Sequence, residues 1–312
     1  MEPKAARTRI PVLGSLRRIG RLTWVELLKL LSHKLFPVTA ILTLVVTAGL
    51  GIMARVVTEN PDSRVRFSNY TLWVTTSGLG VWVGSMLLVV VAAMAMSNEA
   101  TARTLNTLLT RPLRRIEFVL AKILALIAAT VAVVAAAALA AFIVGGTVQD
   151  PPRRPYEEWD RHATIPEPPP SRFPSYDDIR DPAFGTVIVP KGEVMGQILF
   201  GFLLLVVPVL AGVSVGFMLG TLIDSAGLAI GLAIGIHVSL DVTRFVPMLQ
   251  DLIGGFSYNY PTTRISTLMY QAGQGADVAW GGVLGGVGIA AIYVVVCFAA
   301  SIVVFCRRDI TL

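Results

Sequence analysis

The residues of this chain that could carry acid–base chemistry lie at the end of an apolar segment. His237, Asp241 and Arg244 stand at i, i+4 and i+7, which places them on one face of a helix. Ionisable groups at membrane depth usually face a cavity or one another, so this face is a candidate lining for a transport pathway, or a pH-sensitive contact. The structural alternative, which we favour, pairs Asp241 with Arg244 and leaves His237 hydrogen-bonded at the outer interface. Two candidate ligands do not make a metal site.

A second pattern suggests a nucleophile. Residues 212–216 read Gly-Val-Ser-Val-Gly and so match G-x-S-x-G, which would allow an intramembrane serine protease that pairs Ser214 with His237. In hydrolases this pattern forms a turn from a strand into a helix, whereas here it lies within a long apolar run. The favoured interpretation is therefore a helix contact made by small residues, with Ser214 bonded to its own backbone.

The most informative polar segment is the loop 98–117. Leu105, Leu108 and Leu109 form an apolar stripe at i, i+3 and i+4 on a short helix, and the dipeptide Arg111-Pro112 ends that helix. Such a helix beneath two membrane spans is a surface by which a soluble partner could move both spans. The alternative is a plain connector that rests on the membrane.

Composition defines the elements that must position these residues. The chain has 312 residues, 15% of them charged, and a mean hydropathy of +0.69. A soluble domain carries about 25% charged residues, so an ordinary soluble enzyme is excluded. Long charge-free runs predict an all-α membrane protein with six spanning helices, since about 20 apolar residues cross the hydrocarbon core. The predicted spans are about 37–55, 76–97, 118–145, 194–220, 225–247 and 279–306.

Two segments lie outside these spans. Residues 1–36 are a basic N-terminus that contains an amphipathic interfacial helix from Leu22 to Phe36, with Trp24 as its anchor. The six-helix membrane region 37–312 follows it. Residues 147–192 hold ten prolines, which favours an extended extracytoplasmic loop in which Val187–Pro190 could pair as a strand.

Glycines predict where helices approach closely. Gly227, Gly231 and Gly235 recur every fourth residue on one face of the fifth span, and Gly216 and Gly220 lie in the fourth. Small residues at this spacing let membrane helices pack tightly. We expect tight packing among the last three helices or across a dimer.

Basic residues predict the orientation. The N-terminus, the loop 98–122, the 221–226 turn and the C-terminus together hold 15 Lys and Arg against 6 acidic residues. Because basic residues favour the cytoplasmic side, both termini are expected in the cytoplasm, with the protein in the cell (inner or plasma) membrane. The pI near 9.6 is then a topology signal, and no nucleic-acid-binding motif accompanies it.

The loop resembles the signature of the ABC-2 type transporter permeases. The matching positions are Glu99, Thr104, Leu105, Leu108, Leu109, Arg111, Pro112, Arg115, Glu117 and Lys122. The sequence departs from the pattern at Arg103, Asn106, Arg114 and Ala121. The turn 219–226 and the terminal 305–310 also look like that family.

The resemblance implies a membrane subunit of an ATP-binding-cassette transporter, an exporter that works by alternating access. It implies that the loop, through the residues from Glu99 to Arg115, couples to a cytoplasmic ATPase subunit, and that a second permease subunit completes a homo- or heterodimer. No G-x-x-x-x-G-K-[ST] phosphate loop is present, so we expect this chain to bind no cofactor and to be no enzyme alone, with ATP and Mg on the partner.

Two alternatives remain besides the permease. An ion-gradient-driven secondary transporter or channel would use His237 and Asp241, and the more remote alternative is the protease built on Ser214. The sequence does not select among cargoes.

Overall fold

The computed structural model describes residues 12–59, 69–101, 115–146, 179–180, 187–189, 191–242, 257–273 and 278–307. Within them the chain is helical apart from one short strand pair. The helices are α1 (Val12–Ser32), α2 (Leu35–Glu59), α3 (Asn69–Thr101), α4 (Arg115–Gly146), α5 (Lys191–Leu222), α6 (Ala226–Val242), α7 (Tyr260–Gly273) and α8 (Gly281–Arg307). The strands are β1 (Ile179–Arg180) and β2 (Val187–Val189), which pair antiparallel, so the strand expected at Val187 is present.

The predicted all-α membrane fold is confirmed. Among the described residues, five helices (α2, α3, α4, α5 and α8) are long and apolar enough to cross a membrane. The predicted fifth span corresponds to α6, an apolar helix of 17 described residues, and residues 243–247 of that prediction lie outside the described residues.

Helices α3 and α5 form the centre of the bundle. They pack against each other, and α3 also contacts α2, α4, α6 and α7. In α5 and α3, 61% and 56% of the most apolar stretch is buried, against 28% in α2 and α8. The outward faces of the peripheral helices carry large apolar side chains, for example Met53 at 66% and Val295 at 67% exposure. Such a surface is stable in contact with lipid, whereas its exposure to water would be unfavourable in free energy.

Helix α1 is longer than predicted. It begins at Val12 rather than near Leu22 and ends at Ser32, just before α2. Trp24, Val25, Leu28 and Leu31 are exposed, which agrees with an apolar face turned to an interface. The opposite side packs against α4.

Among the described residues, the α6 glycines do not make the close helix contacts that their spacing predicts. A Cβ placed on Gly227, Gly231 or Gly235 would meet no atom of the described residues within 4 Å, because this stripe faces outward. The inward face of α6 instead carries small Ala229 and Ala233. Packing across a dimer stays a prediction.

Close approach occurs at other small residues. A Cβ on Gly216 would lie 2.6 Å from the carbonyl oxygen of Val89, and one on Gly220 would overlap the carbonyl of Ala93, so α5 meets the α3 backbone directly. On the other side of α3, Gly80 and Gly84 face the hydroxyls of Thr47 and Thr43 on α2. Each threonine donates its hydroxyl proton to the carbonyl four residues earlier, which satisfies these buried polar groups within α2.

Helix α7 was not predicted. Ile265, Met269 and Ala272 are buried on one face, which packs against α5 and α3. The side chain of Met269 occupies the space beside Gly201 of α5, where a Cβ would collide with it. This helix returns the chain to the bundle before α8 begins.

Candidate functional site

The two ends of the loop 98–117 are held by α3 and α4. Glu99 lies in the last turns of α3, and Arg115 begins α4. The other predicted coupling residues, Thr104, Leu105, Leu108, Leu109, Arg111 and Pro112, lie outside the described residues. Since α3 and α4 pack along each other, a force on the loop acts on both helices.

The start of α4 contacts the end of the last helix. The guanidinium Nη1 of Arg115 donates to the carbonyl oxygen of Cys306 at 3.4 Å, and the rings of Phe118 and Phe305 lie 5.9 Å apart. Glu117, between these contacts, is buried. Arg115 therefore attaches the loop's second flank to α8.

Lys122 connects three helices. It is buried on α4, and its Nζ donates to Glu26 Oε2 of α1 at 2.8 Å and to the carbonyl oxygen of Ala95 on α3 at 3.1 Å. Its ammonium also lies 5.0 Å from the centroid of the Phe118 ring. An ammonium this deep needs a partner, and the nearest carboxylate comes from α1.

Glu26 receives two ammonium groups. Lys29 Nζ donates to its Oε1 at 3.0 Å while Lys122 occupies Oε2. Burial by itself raises the pKa of the Glu26 carboxyl, but the charges and hydrogen bonds of Lys122 and Lys29 outweigh it, so the pKa lies below the ordinary value. The carboxylate is ionised at neutral pH and holds α1 against α4.

The predicted polar face of α6 forms a buried cluster with α3 and the segment before α7. His237 Nε2 lies 3.3 Å from Ser85 Oγ, and His237 Nδ1 lies 3.0 Å from Tyr258 Oη. The Ser85 hydroxyl donates its proton to the carbonyl of Trp82, so its oxygen is the acceptor and His237 Nε2 the donor. Nδ1 of a neutral imidazole then accepts from Tyr258, whose pKa is raised by burial and by the charge of Asp241.

Asp241 lies in the same cluster. Its Oδ2 accepts from the indole Nε1 of Trp82 at 2.6 Å, and its Oδ1 accepts from Asn259 Nδ2 at 2.9 Å. Arg244, the partner expected in the structural alternative, lies outside the described residues. Trp82 and Asn259 were not singled out from the sequence, because they are distant from Asp241 along the chain. The cluster ties α3, α6 and residues 257–259 together.

Ser214 has the geometry of a structural serine. It is buried in the middle of α5, and its hydroxyl donates to the carbonyl of Ala211 at 2.7 Å. The strand-to-helix turn that exposes a hydrolase nucleophile is absent here, since residues 191–222 form one helix. Among the described residues, no group of three or more His, Cys, Asp or Glu could hold a metal ion.

A bundle of long apolar helices with a lipid-type exterior defines a multi-pass α-helical membrane protein. Residues 22–151 match the family model described as ABC-2 family transporter protein. This match confirms the resemblance seen in the loop: residues 22–151, which run from within α1 to just beyond the end of α4, are similar to that family. None of the curated proteins matches the chain.

Proposed function

We propose that this chain is the permease subunit of an exporter whose energy comes from a separate cytoplasmic ATPase. The supporting observation is that the family match from residue 22 to 151 contains the whole loop 98–117 together with both helices that hold it. ATP and Mg would be bound by the partner, and a second permease subunit would complete the pathway. Both termini and the loop would face the cytoplasm.

The proposed mechanism is alternating access driven through the loop. Closure of two ATPase subunits would push the helix around Leu105–Leu109 and so move α3 and α4 together. The contact of Arg115 with Cys306 would carry that motion to α8, and the contact of Lys122 with Glu26 would carry it to α1. These contacts support a mechanism in which four helices respond to one applied force.

Affinity capture tests the proposed partner. The tagged chain is co-expressed with a candidate cassette ATPase from the same genome, and the amount of ATPase retained in detergent is measured. Replacing Leu105 and Leu109 with Asp removes the apolar stripe and should abolish retention. Replacing Arg153 with Asp, on the loop expected outside, is the matched control and should retain it. Equal retention by all three proteins would refute the coupling role.

The runner-up is a transporter driven by an ion gradient, favoured by the burial of His237 and Asp241 in apolar surroundings. The fixed partners of both side chains favour a structural role instead. Uptake driven by a proton or sodium gradient into ATP-free vesicles that contain this chain alone would select the runner-up.

A further inference from the structure

A cavity lies between α1 and the bundle, at the end of the molecule that carries the coupling loop. Its volume is about 340 Å³, in the range of about 300–1,000 Å³ that is usual for small-ligand sites. Helix α1 and the start of α2 form one wall, and the ends of α3 and α4 that face them form the other. Nothing in the coupling role requires this space.

The lining of the cavity is divided by polarity. Leu30, Phe36, Met94 and Leu126 give it an apolar part. Polar groups also line it: Glu26, Lys29, His33, Asn98 and Lys122. The two ammonium groups exceed the one carboxylate by a single charge, so the polar part is positive. An apolar chain with an anionic head complements this lining in both charge and polarity.

The surroundings of the cavity indicate where such a ligand comes from. Helix α1 turns an apolar face outward through Trp24, Leu28 and Leu31, and it also carries the exposed cations Arg17 and Arg21. A basic amphipathic helix lies in the headgroup region of a membrane and attracts anionic lipids. Basic pockets beside spanning helices on the cytoplasmic side bind lipid headgroups. We therefore expect the ligand of this cavity to come from the membrane lipid beside α1.

We propose that this cavity binds an anionic phospholipid, with an acyl chain against Leu30, Phe36 and Leu126 and the phosphate at Lys29. Lys29 is the cation able to turn toward a headgroup, since its side chain is 50% exposed while that of Lys122 is 5% exposed and faces Glu26. The lipid would wedge between α1 and the helices that hold the coupling loop. The site stands apart from the ATPase partner; only its assignment to the cytoplasmic leaflet rests on the proposed function.

The test uses the full-length chain purified in detergent and titrated with phosphatidylglycerol or phosphatidylcholine of identical acyl chains, with bound lipid counted by native mass spectrometry. We expect one saturable phosphatidylglycerol per chain, bound more tightly than phosphatidylcholine. Lys29→Gln should weaken phosphatidylglycerol binding about fivefold, the effect of about one cation near an anionic headgroup. Lys34→Gln removes an exposed cation that does not line the cavity; it is the matched control and should leave the affinity unchanged.

A variant whose side chain fills the cavity distinguishes binding inside the cavity from adsorption of lipid to the protein surface. Met94→Trp should abolish the saturable binding of both lipids, and inorganic phosphate in excess should displace neither. Because Lys29 is half exposed, Lys29→Gln tests the site without disturbing packing even if Met94→Trp misfolds. Equal affinity for the two lipids, an unchanged affinity in Lys29→Gln, unchanged binding in a folded Met94→Trp protein, or displacement by phosphate alone would each overturn the proposal.

Discussion

Removing Glu26 from the ion pair between Glu26 and Lys122 should destabilise the protein more than removing Lys122. Glu26→Leu leaves the Lys122 ammonium, on a side chain 5% exposed, without its carboxylate. Removing one partner of a buried pair costs about 3–5 kcal/mol, because the remaining charge stays desolvated. We expect a loss of that size in the free energy that holds α1 on the bundle.

The reverse substitution leaves a partner in place. In Lys122→Leu the Glu26 carboxylate keeps Lys29, whose Nζ is 3.0 Å from Oε1, and it loses one charged hydrogen bond. Such a bond contributes about 1.5–3 kcal/mol, so this variant should be the less damaged of the two. The double variant Glu26→Leu with Lys122→Leu should be more stable than Glu26→Leu alone, since no buried charge is left unpaired.

Two measurements together report the effect. Thermal unfolding of the purified protein in detergent orders the variants by stability, and hydrogen exchange of the α1 amides reports whether that helix stays docked. Lys34→Leu, at an exposed position beside α1, is the control and should change stability by less than about 0.5 kcal/mol. Equal losses in the two single variants, or a double variant that loses the sum of both, would refute the asymmetry.

Three further predictions follow from single contacts. Since the pKa of Glu26 is held below its ordinary 4.5, its contribution to docking is complete above that pH and is lost as the pH falls through the lower folded value. The protection factors of the α1 amides, corrected for the intrinsic exchange rate at each pH, should therefore fall on acidification in the wild type and stay constant in Glu26→Gln. Gly220→Ala should lower the free energy of unfolding by about 1–3 kcal/mol, and with it the melting temperature, because the added Cβ would collide with the backbone of α3. The Cβ added in Gly231→Ala would meet no atom of the described residues, so this variant should be neutral or more stable by up to about 1 kcal/mol. Equal changes of stability in Gly220→Ala and Gly231→Ala would contradict the packing described. Asp241→Asn places an amide NH₂ group where the carboxylate accepts from Trp82 and Asn259, so it should lower the free energy of unfolding by about 1–3 kcal/mol. It should also shift the fluorescence emission of Trp82, which is identified by comparison with the same substitution in a Trp82→Phe background.

The spanning helices could be predicted because lipid imposes a rule that is local in sequence. A run without charges must be about 20 residues long to cross, and each of the five long helices contains such a run. The same rule does not detect helix α7, because this helix is only 14 residues long and carries polar side chains on its outer side, such as Thr263 and Arg264. Its buried stripe at i, i+4 and i+7 was the signal that could have found it.

The contacts of the candidate sites were much less predictable. Glu26 and Lys122 are 96 residues apart, and nothing local in either segment points to the other. The fourth-residue glycine spacing marks helix faces that can pack closely, but it is satisfied both by Gly220, which meets α3, and by Gly231, which faces outward. Which stripe is used depends on how α3 and α5 are placed, and that is a property of the whole bundle.

The rate of ATP hydrolysis in the assembled complex tests the central claim most directly. The partner ATPase is reconstituted in liposomes with the wild-type chain or with the variant that carries Asp at Leu105 and Leu109, and hydrolysis is followed at saturating Mg-ATP. If this chain is a permease coupled through its loop, the wild type should change the hydrolysis rate of the ATPase and the variant should leave it at the rate of the ATPase alone. Identical rates with the wild type, the variant and no permease would contradict the account.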